Sequence, residues 1–234
     1  MKRYVVGDIH GNQKALVQVL AKVKFDCDKD MLIVLGDIVD GYNCSYQCVE
    51  ELLNIKNIIF IIGNHDVWWM NHMATGWAED IWLKQGGKNT KKSYFDQGYY
   101  YNKLPKTHVD FFNKGVYHYE LDKMLFVHGG FSYPCHPSKD NKETLTWDRT
   151  LIERCKNGLK IRDWDKIFVG HTTTENQGAK PITYQQKGFG KLIQVDCGAG
   201  WNGRLCLYNI DSDKYVLSDY ARELNLSEGI REFI

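Results

Sequence analysis

Five short polar clusters hold the residues of this chain best suited to chemistry: Gly7-Asp8-Ile9-His10-Gly11, Gly36-Asp37-Ile38-Val39-Asp40, Gly63-Asn64-His65-Asp66, His128-Gly129-Gly130 and Gly170-His171-Thr172. They offer carboxylates (Asp8, Asp37), imidazoles (His10, His128, His171) and a carboxamide (Asn64). Donors of these types suit hard or borderline divalent metals, and one carboxylate can bridge two ions while imidazoles occupy the outer positions. The chemistry expected of such a set is two-metal chemistry. Any one cluster alone reads as a turn with a capping aspartate; the order and spacing of all five give the set its meaning. Gly7, Gly36, Gly63 and Gly170 each precede the polar residue, where a side chain would obstruct a tight turn or the approach of a ligand. His72, His108, His118 and His136 lack that setting and are expected to be ordinary hydrogen-bonded imidazoles.

Each cluster closes a β-branched run, at residues 3–6, 31–35, 58–62, 124–127 and 167–169. Between the first two runs, Ala15, Leu16, Val19, Leu20 and Val23 form the one-sided stripe of an amphipathic helix, and Val49, Leu52 and Leu53 suggest another. Strand, helix, strand, helix, strand predicts a parallel sheet with right-handed crossovers. The loops then gather on one edge, outside the carboxyl ends of the strands, where open α/β sheets bind ligands. Residues 67–112 carry four tryptophans at helical spacing, with Gly86-Gly87 as a break, and predict a helical cap. Trp68, Trp69, Trp77 and Trp82 read as the core of that cap in preference to the wall of a groove. Runs at 116–121 and 123–127 suggest a hairpin at Asp122, and β signals at 192–196, 204–209 and 215–217 suggest a second sheet packed on the first. Residues 218–234 are expected to form a terminal helix.

The chain has 234 residues, 43% hydrophobic and 25% charged, which suits one sizeable globular domain spanning 1–234 with the cap at about 67–112 and an extension at about 211–234. A net charge of +1 makes neither nucleic acid nor an anionic membrane an expected partner. The opening residues meet Gly7 and Asp8 too soon for a signal peptide or membrane span, so the expected setting is the cytoplasm. Seven scattered cysteines read as reduced thiols, with Cys44 and Cys48, one helical turn apart, as small buried residues.

With these motifs the chain resembles the calcineurin-like metallophosphoesterases, and within them the phosphoprotein phosphatases, the bacterial and phage lambda-type enzymes and the symmetrical dinucleoside tetraphosphatases. The resemblance runs from Gly7 to about Asn209 and takes in Trp82-Leu83-Lys84-Gln85-Gly86-Gly87, Trp147-Asp148-Arg149 and Val195-Asp196-Cys197-Gly198-Ala199. It implies an α/β fold of two packed mixed sheets flanked by helices. It also implies two divalent ions, manganese foremost, with iron, zinc or cobalt as alternatives. Asp8 and His10 would hold the first ion, Asp37 would bridge, and Asn64, His128 and His171 would complete the second. A hydroxide held between the ions would attack phosphorus in line. His65 would protonate the departing oxygen, oriented by Asp40.

The pattern departs from the phosphoprotein phosphatases at Gly41, where an arginine is expected to grip the substrate phosphate. Arg149 remains as a phosphate clamp, with Asn64 as a second contact. Asp66 replaces the glutamate usual in that group, a change that carries little by itself. The implied activity is hydrolysis of phosphate monoesters, on a phosphorylated protein or a small phosphate ester. Hydrolysis of dinucleoside polyphosphates or cyclic nucleotides is the alternative, and a non-catalytic partner-binding scaffold comes third.

Overall fold

In the computed structural model, which describes residues 1–225, β1 (Arg3–Val6), α1 (Gln13–Lys22), β2 (Met31–Val34), α2 (Ser45–Leu53) and β3 (Asn57–Phe60) alternate as expected. There follow α3 (Asn64–Thr75), α4 (Asp80–Trp82), a π turn at Leu83–Gly87, α5 (Lys88–Phe95) and α6 (Lys106–Asn113). The chain then forms β4 (His118–Leu121), β5 (Met124–Val127), α7 (Lys142–Trp147), α8 (Thr150–Lys156) and β6 (Lys166–Val169). It ends in β7 (Ile182–Gln185), β8 (Lys191–Gln194), β9 (Cys206–Asn209), β10 (Tyr215–Leu217) and α9 (Ala221–Leu224). Of the terminal helix expected over 218–234, the structure forms α9 at Ala221–Leu224; the expectation for 226–234 lies outside the described residues.

Two mixed five-stranded sheets result, ordered β10-β9-β1-β2-β3 and β4-β5-β6-β8-β7. β1, β2 and β3 run parallel, as do β5, β6 and β8, while the outer strands β9, β10, β4 and β7 pair antiparallel. The alternation of side chains sets the layers. Val5, Ile33, Phe126, Phe168 and Ile193 point between the sheets into one core, where the rings of Phe126 and Phe168 stack at 5.1 Å. Their neighbours Tyr4, Val6, Leu32 and Val34 face α1, α2 and the cap; Leu125, Val127, Ile167 and Val169 face α7 and α8. Strands buried on both faces need continuous apolar runs, which is why they were legible. The β4–β5 hairpin turns through Asp122 and Lys123, both at positive φ (47° and 57°), the geometry of a two-residue turn that follows sheet twist.

Residues 64–113 form the helical layer expected as a cap. Trp69 and Trp82 are its core, each 1% exposed, but Trp77 faces solvent and Trp68 stands edge-on to His65 at 5.0 Å. The expectation that all four tryptophans are cap core therefore holds for two. Among the described residues no helix is long and apolar enough to cross a membrane.

Candidate active site

β1, β2 and β3 of one sheet and β5, β6 and β8 of the other deliver their carboxyl ends to the same edge. The loops that follow them carry Asp8 and His10, Asp37 and Asp40, Asn64 and His65, His128, His171 and Asp196. There is little room between the loops. A Cβ on Gly63 would sit 2.1 Å from Asp37 Oδ1, one on Gly36 2.7 Å from His128 Nδ1, and one on Gly170 2.4 Å from Asp8 Oδ1. His10, Asp37, Asp40 and His171 adopt left-handed backbone (φ 51°, 50°, 66° and 60°), where non-glycine residues are uncommon.

Two imidazoles have their tautomer set by backbone. His10 Nδ1 donates to the carbonyls of Val39 (3.1 Å) and Asp40 (2.9 Å), and His128 Nδ1 donates to that of Leu35 (2.5 Å). Both Nε2 atoms are thereby aimed at Asp37 Oδ2, from 3.7 Å and 3.3 Å. His128 Nε2 also lies 3.1 Å from Asn64 Oδ1. The amide of His171 donates to the Asp8 carboxylate at 3.0 Å, while its buried Nε2 has no hydrogen-bond partner. Donor atoms of Asp37, His128 and His171 lie within 4.8 Å of one another, and so do those of His10, Asp37 and His65.

The electrostatics are frustrated. Burial and then Asp196 push the Asp8 carboxyl well above its ordinary value, and burial carries Asp196 up to about 6. Burial would raise Asp37 as well, but His128 and His65 outweigh it and hold it well below. Burial would lower His128, yet Asp37 and Asp8 lift it to about 10. Burial and the neighbouring His128 pull His171 down to about 3. Three buried carboxylates, two Nε2 atoms directed at one of them and a third left unpaired form a donor set that fits divalent cations.

Beside this cluster, His65 Nδ1 lies 2.8 Å from Asp40 Oδ2, and the His65 amide donates to Asp37 Oδ1 at 2.9 Å. Asp40 is fully buried, and the cap satisfies it. Trp82 Nε1 donates to Oδ2 at 2.8 Å, Thr90 Oγ1 donates to Oδ1 at 2.6 Å, and the Asp40 amide lies 2.9 Å from the same Thr90 oxygen. The cleft above holds about 450 Å³ and is lined by His10, Asp37, Asn64, His65 and His171, with Trp147 and Arg149 on its rim. Among the described residues no hydrogen bond or ion pair engages the side chain of the exposed Arg149. Asp8 is buried and does not line the cleft, but the His171 amide ties it to the cluster, and all nine residues proposed for the site lie at this edge.

Two acidic residues were underrated. Asp66 accepts from the amides of Asp37 (2.6 Å), Ile38 (3.0 Å) and Gly63 (2.9 Å), which ties the β2 loop to the β3 loop; burial, then Asp37, raise it to about 7. Its place three residues after Gly63, at a helix start, was the available signal. Asp196 lines the cleft just past β8, the strand-end position that marked the other clusters. At Gly41 the chain takes φ +111°, and a Cβ there would meet His10 at 2.9–3.0 Å. The cap glycine Gly86 lies so close that its own Cβ would stand 2.3 Å from the Gly41 nitrogen.

Comparison with known proteins agrees with this geometry. The chain is 34% identical over 216 residues to serine/threonine-protein phosphatase 2 of Salmonella typhimurium, covering 88% of this chain and 92% of the relative. It is 35% identical over 68 residues to a symmetrical bis(5'-nucleosyl)-tetraphosphatase of Buchnera aphidicola, where the match covers 29% of this chain and 24% of the relative. A metallophosphoesterase from Sphaerobacter thermophilus superposes with a TM-score of 0.58 at 17% identity, over 94% of this chain and 89% of that one. The calcineurin-like phosphoesterase family model matches residues 1–195; the chain belongs to that family and is a hydrolase of phosphate esters.

Proposed function

We propose that the chain is a binuclear metal-dependent phosphomonoesterase, resembling the serine/threonine protein phosphatases, that acts on a phosphorylated protein or a small phosphate ester. Asp8, His10 and Asp37 would hold one ion and Asp37, Asn64, His128 and His171 the other, with manganese the metal proposed. The observation that supports this best is the convergence of His10 Nε2 and His128 Nε2 on Asp37 Oδ2, beside the unpaired His171 Nε2. When bound, the cations supply Lewis acidity, lowering the pKa of a water and offsetting phosphoryl charge.

The chain's own residues do the rest. Arg149, on the cleft rim, grips phosphoryl oxygens, and Asn64 gives a second contact. His65 carries the proton destined for the leaving oxygen on Nε2, while its Nδ1–H donates to Asp40 Oδ2. Asp40, buried and held by Trp82 and Thr90, steadies the imidazolium and fixes its ring. A cytoplasmic setting accompanies this reading.

A second reading, hydrolysis of dinucleoside polyphosphates, draws support from Gly41, which leaves the site without the second guanidinium fork a monoester dianion would use. The test is turnover of a phosphopeptide, diadenosine tetraphosphate, a cyclic nucleotide and an aryl phosphate side by side with manganese. Higher kcat/KM on the phosphopeptide is expected; a wide preference for either nucleotide overturns the phosphomonoesterase reading.

A further inference from the structure

His118 and His136, expected as ordinary hydrogen-bonded imidazoles, come together with Glu120 on the second sheet. His118 and Glu120 are two apart on β4, so their side chains leave the same face of this edge strand. His136 arrives from the loop after β5. One donor atom from each lies within 4.8 Å of the others, none lines the cleft described above, and His136 and Glu120 are open to solvent.

We infer that these three residues form a separate binding site for a zinc-type divalent cation, stapling residues 132–139 to the free edge of the second sheet. Two imidazoles and one carboxylate with open positions toward water form a donor set of the kind that binds zinc. Bonds of about 2.0–2.1 Å in a tetrahedron place donors about 3.4 Å apart, and the donor atoms here already lie within 4.8 Å of one another.

The surroundings already orient the ligands. Glu120 divides its oxygens, Oε1 toward His136 Nε2 at 2.7 Å and Oε2 toward the indole N–H of the buried Trp164 at 2.9 Å. The cation would replace the proton shared by His136 Nε2 and Glu120 Oε1. His136 Nδ1 accepts from the Ser138 amide at 3.2 Å and lies 2.9 Å from Ser138 Oγ; with a cation on Nε2 it would carry the ring's proton and donate to that oxygen in place of accepting from the amide. Partners of this kind around a ligand shell typically change metal affinity by roughly 10–100-fold.

The experiment uses the full chain stripped of metal and titrated with zinc by calorimetry, with cobalt(II) absorption as a second readout. Wild type is expected to bind one equivalent more than His118→Ala/His136→Ala, and that variant should keep its manganese-dependent hydrolysis within about twofold. Trp164→Phe should weaken this equivalent by roughly 10–100-fold without abolishing it. Equal zinc stoichiometry in wild type and the double variant overturns the inference. If the double variant fails to fold, Glu120→Gln, which preserves shape and an acceptor for Trp164, serves instead: unchanged zinc affinity in it overturns the inference equally. The difference in zinc stoichiometry between wild type and the double variant does not depend on how the catalytic cleft is read.

Discussion

His65 and Asp40 are paired at 2.8 Å, and proton supply to the leaving group depends on that pair. Replacing His65 by alanine should lower kcat on an alkyl phosphate by about 10²–10⁴-fold, the usual worth of a positioned acid. The loss should be much smaller on an activated aryl phosphate, whose leaving group needs no proton; equal losses on both would remove His65 from that role. Gly41→Arg supplies the type of residue usual in the phosphatases but should not restore a clamp. It forces a side chain into backbone at φ +111° against His10 and beside Gly86, so lower thermal stability without gain in kcat/KM is the expected result. At this scale the sequence was informative where type and position coincide. Asp8, Asp37, His128 and His171 each follow an apolar run with a glycine alongside. It says less where a role exists only across the fold. The helix start marks Asp66, but not its bonds to the β2 loop, and nothing local marks His136, whose loop returns to β4.

The cap acts on the site through Trp82 and Thr90, whose donors reach Asp40 from two different elements. Two buried cap histidines make this layer sensitive to acid. Burial holds His72 and His108 below their ordinary values, His72 bonding the Trp77 carbonyl and His108 lying between Tyr94 and Glu50. Unfolded histidine titrates near about 6.5, so below that pH the unfolded chain binds more protons than the folded one. The stability these two histidines contribute is therefore complete above that value and is lost as pH drops through it, while the raised carboxyls Asp8, Asp66 and Asp196 act in the opposite sense. Thermal unfolding followed by tryptophan fluorescence should therefore show, in His108→Gln against wild type, a Tm that loses less on going from pH 7 to 5.5; identical pH dependence in the two proteins would contradict this. The elements were legible in proportion to their burial. β1, β2, β5 and β6 announce themselves as apolar runs, whereas β7 (Ile-Thr-Tyr-Gln) is a half-exposed edge strand and passed unnoticed. Helical spacing marked the cap, but nothing local could say that Trp77 turns to solvent while Trp69 turns inward.

The whole molecule brings two sheets together so that six strand ends share one edge, and it does so by concentrating like charge there. Asp8, Asp37 and Asp196 are all buried, so cations should contribute to the folded state as well as to turnover. Chelation should abolish hydrolysis and lower Tm. At a hundredfold excess over Kd one site contributes about 2.7 kcal/mol, or roughly 5–10 °C for a chain of this size. A chelated protein with unchanged Tm would argue against this coupling of binding to folding. The sandwich was visible from the run and cluster pattern, but which loops face each other depends on strand order, and β8 lying beside β6 is what brings Asp196 in.

The left-handed backbone at His10, Asp37, Asp40 and His171 also limits how this site can change over evolutionary time. Asparagine, aspartate and glycine are the exchanges such a conformation accepts readily, whereas an ordinary L-residue brings Cβ against the following carbonyl at a cost of about 1–2 kcal/mol and β-branched residues fit there worst. A lineage losing catalysis would therefore first record the loss as asparagine or glycine at these four places, with the scaffold preserved. His171→Asn should accordingly fold with a higher Tm than His171→Val although both are inactive, and the reverse order would show that backbone shape does not set the path.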